Sequence, residues 1–185
     1  MFNTNIFSSS VKMIDPTYFR GNVILQQVLG EENSKELEIY HVSFKDGATT
    51  TVHYHESDQV LIGTKGRGIV GIINKDSITN FEVKDIETLL MDKEGDVVQI
   101  PAFKLHFHGA ASMGDFSHIA IRQMYFFDNS IKKIRRAENR WENDIILGEN
   151  RDLDSSSLHE IADRIGRIVQ DLIHNIEVER TSKSG

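Results

Sequence analysis

Three histidines and one glutamine stand in two short blocks, Gly47-x5-His53-x-His55-x3-Gln59-x6-Gly66 and Gly95-x5-Pro101-x4-His106. Imidazole nitrogens and an amide oxygen are together sufficient to hold one divalent metal, and the chain has no cysteine to offer a thiolate instead. The spacing carries a geometric meaning. In a strand, residues two apart point to the same face, so His53 and His55 can converge on one point. Gln59 follows at the distance expected of the next strand, after a tight turn through Glu56–Asp58. A glutamine in place of a carboxylate leaves such a site at +2, which favours a divalent ion and keeps it a strong Lewis acid. Manganese, iron, nickel or zinc all suit this ligand set. A six-coordinate ion would keep two positions open for water or a bidentate substrate, whereas a tetrahedral zinc site could be closed.

The elements that must carry these residues are short strands. From Gly21 to Phe127 the chain alternates β-rich runs with turn residues: Val23–Val28, Leu37–Phe44, Thr49–Tyr54, Val60–Ile62, Gly68–Ile73, Ile78–Val83, Leu89–Met91, Val97–Ile100, His106–Ala110 and Ser117–Phe127. Lys45-Asp46-Gly47 reads as a turn. Many short strands without a long helix between them predict an all-β sandwich or closed barrel. Residues 1–15 read as a flexible or loosely docked arm. Residues 128–176 form an extension whose first part, 130–146, is charged and fits a short helix or a loop. Within it, residues 157–176 are predicted helical. Ser157 and Glu160 form a capping box, and Leu158, Ile161, Ala162, Ile165, Ile168, Val169, Leu172, Ile173 and Ile176 recur at helical spacing. That stripe must be buried, against the barrel or across a dimer. Residues 177–185 read as a disordered tail.

At 185 residues with a net charge of −7, the chain is one domain with an appendage, and the acidic balance argues against a nucleic-acid binder. The basic run Lys132–Arg136 reads as a solvated face. No apolar run approaches the roughly 18 residues of a membrane span. The first ten residues lack the pattern of a secretory signal, and the absence of cysteine fits a cytoplasmic protein.

Both blocks resemble the two motifs of the cupin superfamily, Gly-x5-His-x-His-x3–4-Glu-x6-Gly and Gly-x5-Pro-x-Gly-x2-His-x3-Asn. Gly47, His53, His55, Gly66, Gly95, Pro101 and His106 stand in register with them. Gln59 replaces the glutamate, Phe103 the internal glycine and Ala110 the final asparagine. Tyr18-Phe19-x-Gly21-x-Val23, the glutamine, His106-x-His108-Gly109-Ala110 and His118-Ile119-Ala120-Ile121 look like one subgroup. It comprises the small cupins associated with carboxymuconolactone decarboxylase, some of them manganese-dependent hydroxynitrile lyases. The likeness covers residues 16–123, and the remainder departs from it. It implies a single-domain cupin barrel over 16–127 (a double-stranded β-helix, or jelly roll) with a C-terminal α-helical extension. It further implies His53, His55, Gln59 and His106 as metal ligands, His118 as a pocket histidine near a metal, manganese foremost, and a homodimer.

Several residues keep two readings. Gln59 is a ligand or a hydrogen-bonding neighbour of one. His108 shares the face of His106 and is a fifth ligand, a pocket base or a partner of a neighbouring strand. Arg122 alternates with His118 and Ala120, and either anchors a substrate carboxylate or pairs with an acid at the rim. Phe103 narrows the pocket mouth. Trp141 and Phe126–Phe127 read as packing between barrel and extension. His41, His159 and His174 are surface or packing residues. The functional expectation is a small-molecule enzyme of lyase or isomerase type in which the metal polarises a hydroxyl or carbonyl and His118 or His108 moves the proton. An iron-dependent dioxygenase and a non-catalytic binding module are the alternatives.

Overall fold

The computed structural model describes residues 1–183. Its strands run in chain order as β1 (Ser10–Val11), β2 (Phe19–Leu29), β3 (Leu37–Thr50), β4 (His53–His55), β5 (Gln59–Gly66), β6 (Gly68–Ile73) and β7 (Ile86–Met91). They continue as β8 (Val97–Ile100), β9 (His106–Ala110), β10 (Phe116–Gln123), β11 (Tyr125–Asp128), β12 (Lys133–Arg136) and β13 (Asn139–Trp141). Helices α1 (Glu142–Glu149) and α2 (Ser155–Lys183) close the described chain. The main sheet orders its strands β13-β4-β9-β3-β10-β5-β8. From this path β2 branches on β3 and β6 on β9, with every pair antiparallel. The sheet curls into a nearly closed jelly-roll barrel, so the all-β expectation with a helical C-terminal part holds.

Strand alternation sorts the side chains into two cores. Val42, Phe44, Leu61, Val70, Ala110, Phe116 and Ala120 fill the barrel. Val52, Ile69, Ile73, Leu105 and Phe107 point the other way, onto Ile146 of α1 and Ile165, Val169 and Leu172 of α2. Thus β9, wholly buried, shows His106 and His108 to the interior and Phe107 to the helix. The apolar stripe of α2 therefore covers the barrel's outer face.

Some boundaries differ from expectation. Ile78 and Phe81 are fully buried, yet no strand spans 78–83. That loop is held by the Glu149 carboxylate, which accepts from the Ile78 N–H at 2.8 Å and the Ser77 hydroxyl at 2.7 Å. A run of buried apolar residues reads as a strand even when a side chain, not a ladder, satisfies its backbone. Lys45-Asp46-Gly47 kinks β3 without ending it, since Asp46 and Gly47 take positive φ inside one continuous strand. Helix α2 begins two residues before Ser157, and Asp154 caps it by accepting from the Ser157 N–H at 2.8 Å, in place of the Ser157–Glu160 box. It continues through 177–183, where a disordered tail was expected, and residues 184–185 lie outside the described chain. The N-terminal arm is partly docked, with β1 paired to Gln26 and Gln27 of β2.

The largest departure is at 128–141. The chain leaves the barrel through a β11–β12 hairpin, in which Arg135 pairs with Glu56 at 2.5 Å and Asp128 at 2.6 Å. It then re-enters the main sheet as β13, hydrogen-bonded to β4. The barrel is thus completed by residues assigned from sequence to the extension.

Candidate metal centre

The register of three strands builds the site. His53 of β4 faces His106 of β9 as a cross-strand pair, with ring centroids 4.2 Å apart. His55 lies two residues on, on the same face, with Val52 and Tyr54 turned outward between and before the two imidazoles. Gln59 opens β5, opposite Arg122 of β10. The turn carrying the chain from His55 to Gln59 is tied to the Pro101 loop. There the Phe103 N–H donates to His55 O at 2.7 Å, and Asp58 accepts from the Ala102 N–H at 2.9 Å. One motif glycine serves this frame. Gly66 has φ +75°, and a Cβ there would stand 2.0 Å from Asp115 O, so no larger residue fits.

Backbone carbonyls fix the protons on two of the rings: His53 Nδ1 donates to Thr51 O at 2.9 Å and His106 Nδ1 to Lys104 O at 2.7 Å, while His55 Nδ1 lies 2.7 Å from Asn139 Oδ1. A neutral imidazole with its proton on Nδ1 offers only a lone pair at Nε2. The ligand atoms of His53, His55 and His106 all lie within 4.8 Å of one another. His55 Nε2 is buried without a partner. The Gln59 carbonyl oxygen stands 3.2 Å from His106 Nε2. Two lone pairs facing each other repel unless a cation lies between them. Neighbouring ligand atoms each about 2.1 Å from one ion stand roughly 3 Å apart. The residues present therefore fit a divalent metal, with Gln59 as fourth donor.

Burial keeps these rings neutral. It pushes the His53, His55 and His108 imidazoles well below their ordinary range, His106 down to about 4 and His118 down to about 3. The Arg122 guanidinium lowers His55 further. Neutral imidazoles are the ligand form, so no proton needs removing at neutral pH.

Beside the donors lies a cavity of 220 Å³. His53, His55, Gln59 and His108 form one wall. Tyr18, Phe19, Tyr40, Trp141 and residues 13–15 of the arm form the others. Trp141 is layered between Tyr18, at 4.3 Å between centroids, and His53, at 4.4 Å. It does join barrel to extension, but it also walls the cavity. His108 reaches this space, and its Nδ1 stands 3.1 Å from His118 Nε2. His118, fully buried against Phe44 and Phe116, does not line the cavity and touches it only through His108. Arg122 does line it, with its charge already matched by the buried Glu38 at 2.5 Å. Tyr40 donates to the same carboxylate at 2.9 Å, and burial and Glu38 push its phenol up to about 12. Arg122 thus has an internal acid as partner. Phe103 does not narrow the mouth: it is 59% exposed on the outer side, against Tyr54. His41 packs between Gln26 and Thr64, and His159 and His174 lie on α2, away from the site.

Among known protein families, a model described as Cupin matches residues 12–121, more than half of the chain. The chain is a cupin. No curated protein matches it. Among solved structures, this cupin is similar to a cupin-like protein from Thermotoga maritima, at 27% identity and TM-score 0.52, covering 72% of this chain and 88% of that one. It shares its fold with a polyketide cyclase from Streptomyces resistomycificus (9% identity, TM-score 0.51, 85% and 98% covered). It shares it also with a predicted oxalate decarboxylase from T. maritima (15% identity, TM-score 0.51, 66% and 98% covered). One barrel carrying such different chemistries means that the site, not the fold, must decide the reaction.

Asn139, Trp141, Glu38 and Tyr40 are the site residues that sequence reasoning did not select. Asn139-x-Trp141 has the two-residue spacing of a strand face, yet nothing local says which strand it joins. The family match itself stops at residue 121.

Proposed function

We propose that this cupin is a divalent-metal enzyme acting on a small hydroxy or carbonyl compound, of lyase or isomerase type and akin to the hydroxynitrile lyases. The convergence of the ligand atoms of His53, His55 and His106 with the Gln59 oxygen, beside an aromatic-lined cavity, carries this reading. A divalent ion, manganese foremost, would supply a Lewis acid with positions left open to the cavity. His53, His55, Gln59 and His106 hold it. Tyr18, Phe19 and Trp141 bind a flat or apolar substrate body and exclude water. His108 accepts or returns the substrate proton, while His118 behind it fixes the His108 ring through the 3.1 Å contact. Because Glu38 already matches Arg122, the cavity suits an uncharged substrate, such as a cyanohydrin or hydroxyketone, better than a free carboxylate.

The test is metal content by elemental mass spectrometry on protein purified without chelators, beside a His53→Ala/His106→Ala variant. Near-stoichiometric manganese, nickel or zinc, absent from the variant, supports the proposal and directs an assay of cyanohydrins and hydroxyketones. Iron with oxygen-dependent turnover would replace it by the dioxygenase reading. No more metal in the wild type than in the variant, after incubation with each ion, would leave a binding module.

A further inference from the structure

His55 faces a choice that the other two ligand histidines do not. Its Nδ1 is 2.7 Å from Asn139 Oδ1 and also 2.7 Å from Arg122 Nη1, and Arg122 Nη1 itself donates to Asn139 Oδ1. A guanidinium has donors only. Left alone with His55, Arg122 would donate to the Nδ1 lone pair, and the ring proton would then sit on Nε2, pointing at the other imidazoles. In that form His55 cannot bind a cation. Asn139 Oδ1 reverses the preference. It takes the hydrogen bond of Arg122 and accepts one from His55 Nδ1–H, leaving the Nε2 lone pair free. The charge of Arg122 is paired nearby with the buried Glu38, whose carboxylate lies 2.5 Å from its Nε.

We propose that Asn139 is a positioning residue that sets His55 in its cation-binding tautomer against the pull of Arg122. The strand after the family-matched barrel thereby completes the centre. The pairing of β13 with β4 supports this: Asn139 stands opposite His55 and Trp141 opposite His53, so alternate residues of one added strand back alternate ligands of the other. The proposal rests on the reading of His53, His55 and His106 as a metal centre.

The experiment uses the full chain, as Asn139→Leu and Asn139→Asp variants beside the wild type. Histidine ring ¹⁵N shifts in metal-free protein report which nitrogen of His55 carries the proton. Competition with a chromophoric chelator reports Mn²⁺ and Zn²⁺ affinity. Asn139→Leu should move the His55 proton to Nε2 and weaken both ions by about 10–100-fold, the usual effect of removing a partner that orients a ligand histidine. Asn139→Asp keeps an acceptor, so it should retain the Nδ1–H form and wild-type affinity. A merely structural role would impair both variants alike, and that result overturns the proposal. So does an Asn139→Leu protein that binds both ions as tightly as wild type. If the wild type takes up neither ion, the metal centre itself fails and the proposal with it.

Discussion

Six buried imidazoles, His41 among them, make the apo protein sensitive to acid. In the unfolded chain each titrates near 6.5, whereas burial holds His106 at about 4 and His118 at about 3 in the fold. Between those values the unfolded state binds protons that the native state refuses, so stability is complete above about pH 6.5 and is lost as pH falls. Each such ring costs about 1.4 kcal/mol per pH unit within that window. Urea unfolding of metal-free protein should show a clear fall in midpoint between pH 7 and 5, and a flat profile would contradict the burial of these rings. Phe103 offers a second test. It takes φ +63° where the family motif has glycine, and its exposed ring adds little packing. Left-handed backbone costs a side-chain-bearing residue roughly 1–2 kcal/mol, partly offset by the entropy that glycine loses on folding. Phe103→Gly should therefore raise stability by up to about 1 kcal/mol without altering metal content, read by thermal melting and elemental analysis.

At the scale of elements, the strands that carry the candidate ligands were legible because alternation is local: His53 and His55 share a face whatever surrounds them. Helix α2 was legible for the same reason, its stripe having helical period. What the stripe covers was not, and both a barrel face and a dimer partner satisfied it. The structure brings Ile165, Val169 and Leu172 onto Ile69, Ile73 and Phe107. Ile165→Ala should therefore cost about 2–5 kcal/mol in chemical denaturation, the range for emptying a buried aliphatic site. A loss near zero would mean that the helix does not dock as described. The 78–83 segment failed as a strand because burial and β-propensity cannot distinguish a ladder from a loop satisfied by one carboxylate, here Glu149.

For the molecule as a whole, the helical part is built into the barrel's stability. Glu142 makes this concrete, since it is 1% exposed, pairs with Arg20 at 2.5 Å and accepts from the Val52 N–H, next to His53. Deleting residues 150–185 should give aggregated protein, not a soluble monomer with an intact pocket, as judged by soluble fraction and circular dichroism. A folded, metal-binding truncate would show that α2 is dispensable. No helix among the described residues is long and apolar enough to cross a membrane. The sequence by itself determined the β-class, the candidate ligand histidines, the glutamine departure and the amphipathic helix, because periodicity and motif register are properties of neighbours along the chain. Only the tertiary structure decided that β13 belongs to the barrel, that Asn139 and Trp141 back His55 and His53, that Arg122 is matched by Glu38, and that His118 stands behind His108. Those facts depend on which strands pair across long loops, and pairing is set by the closure of the whole sheet.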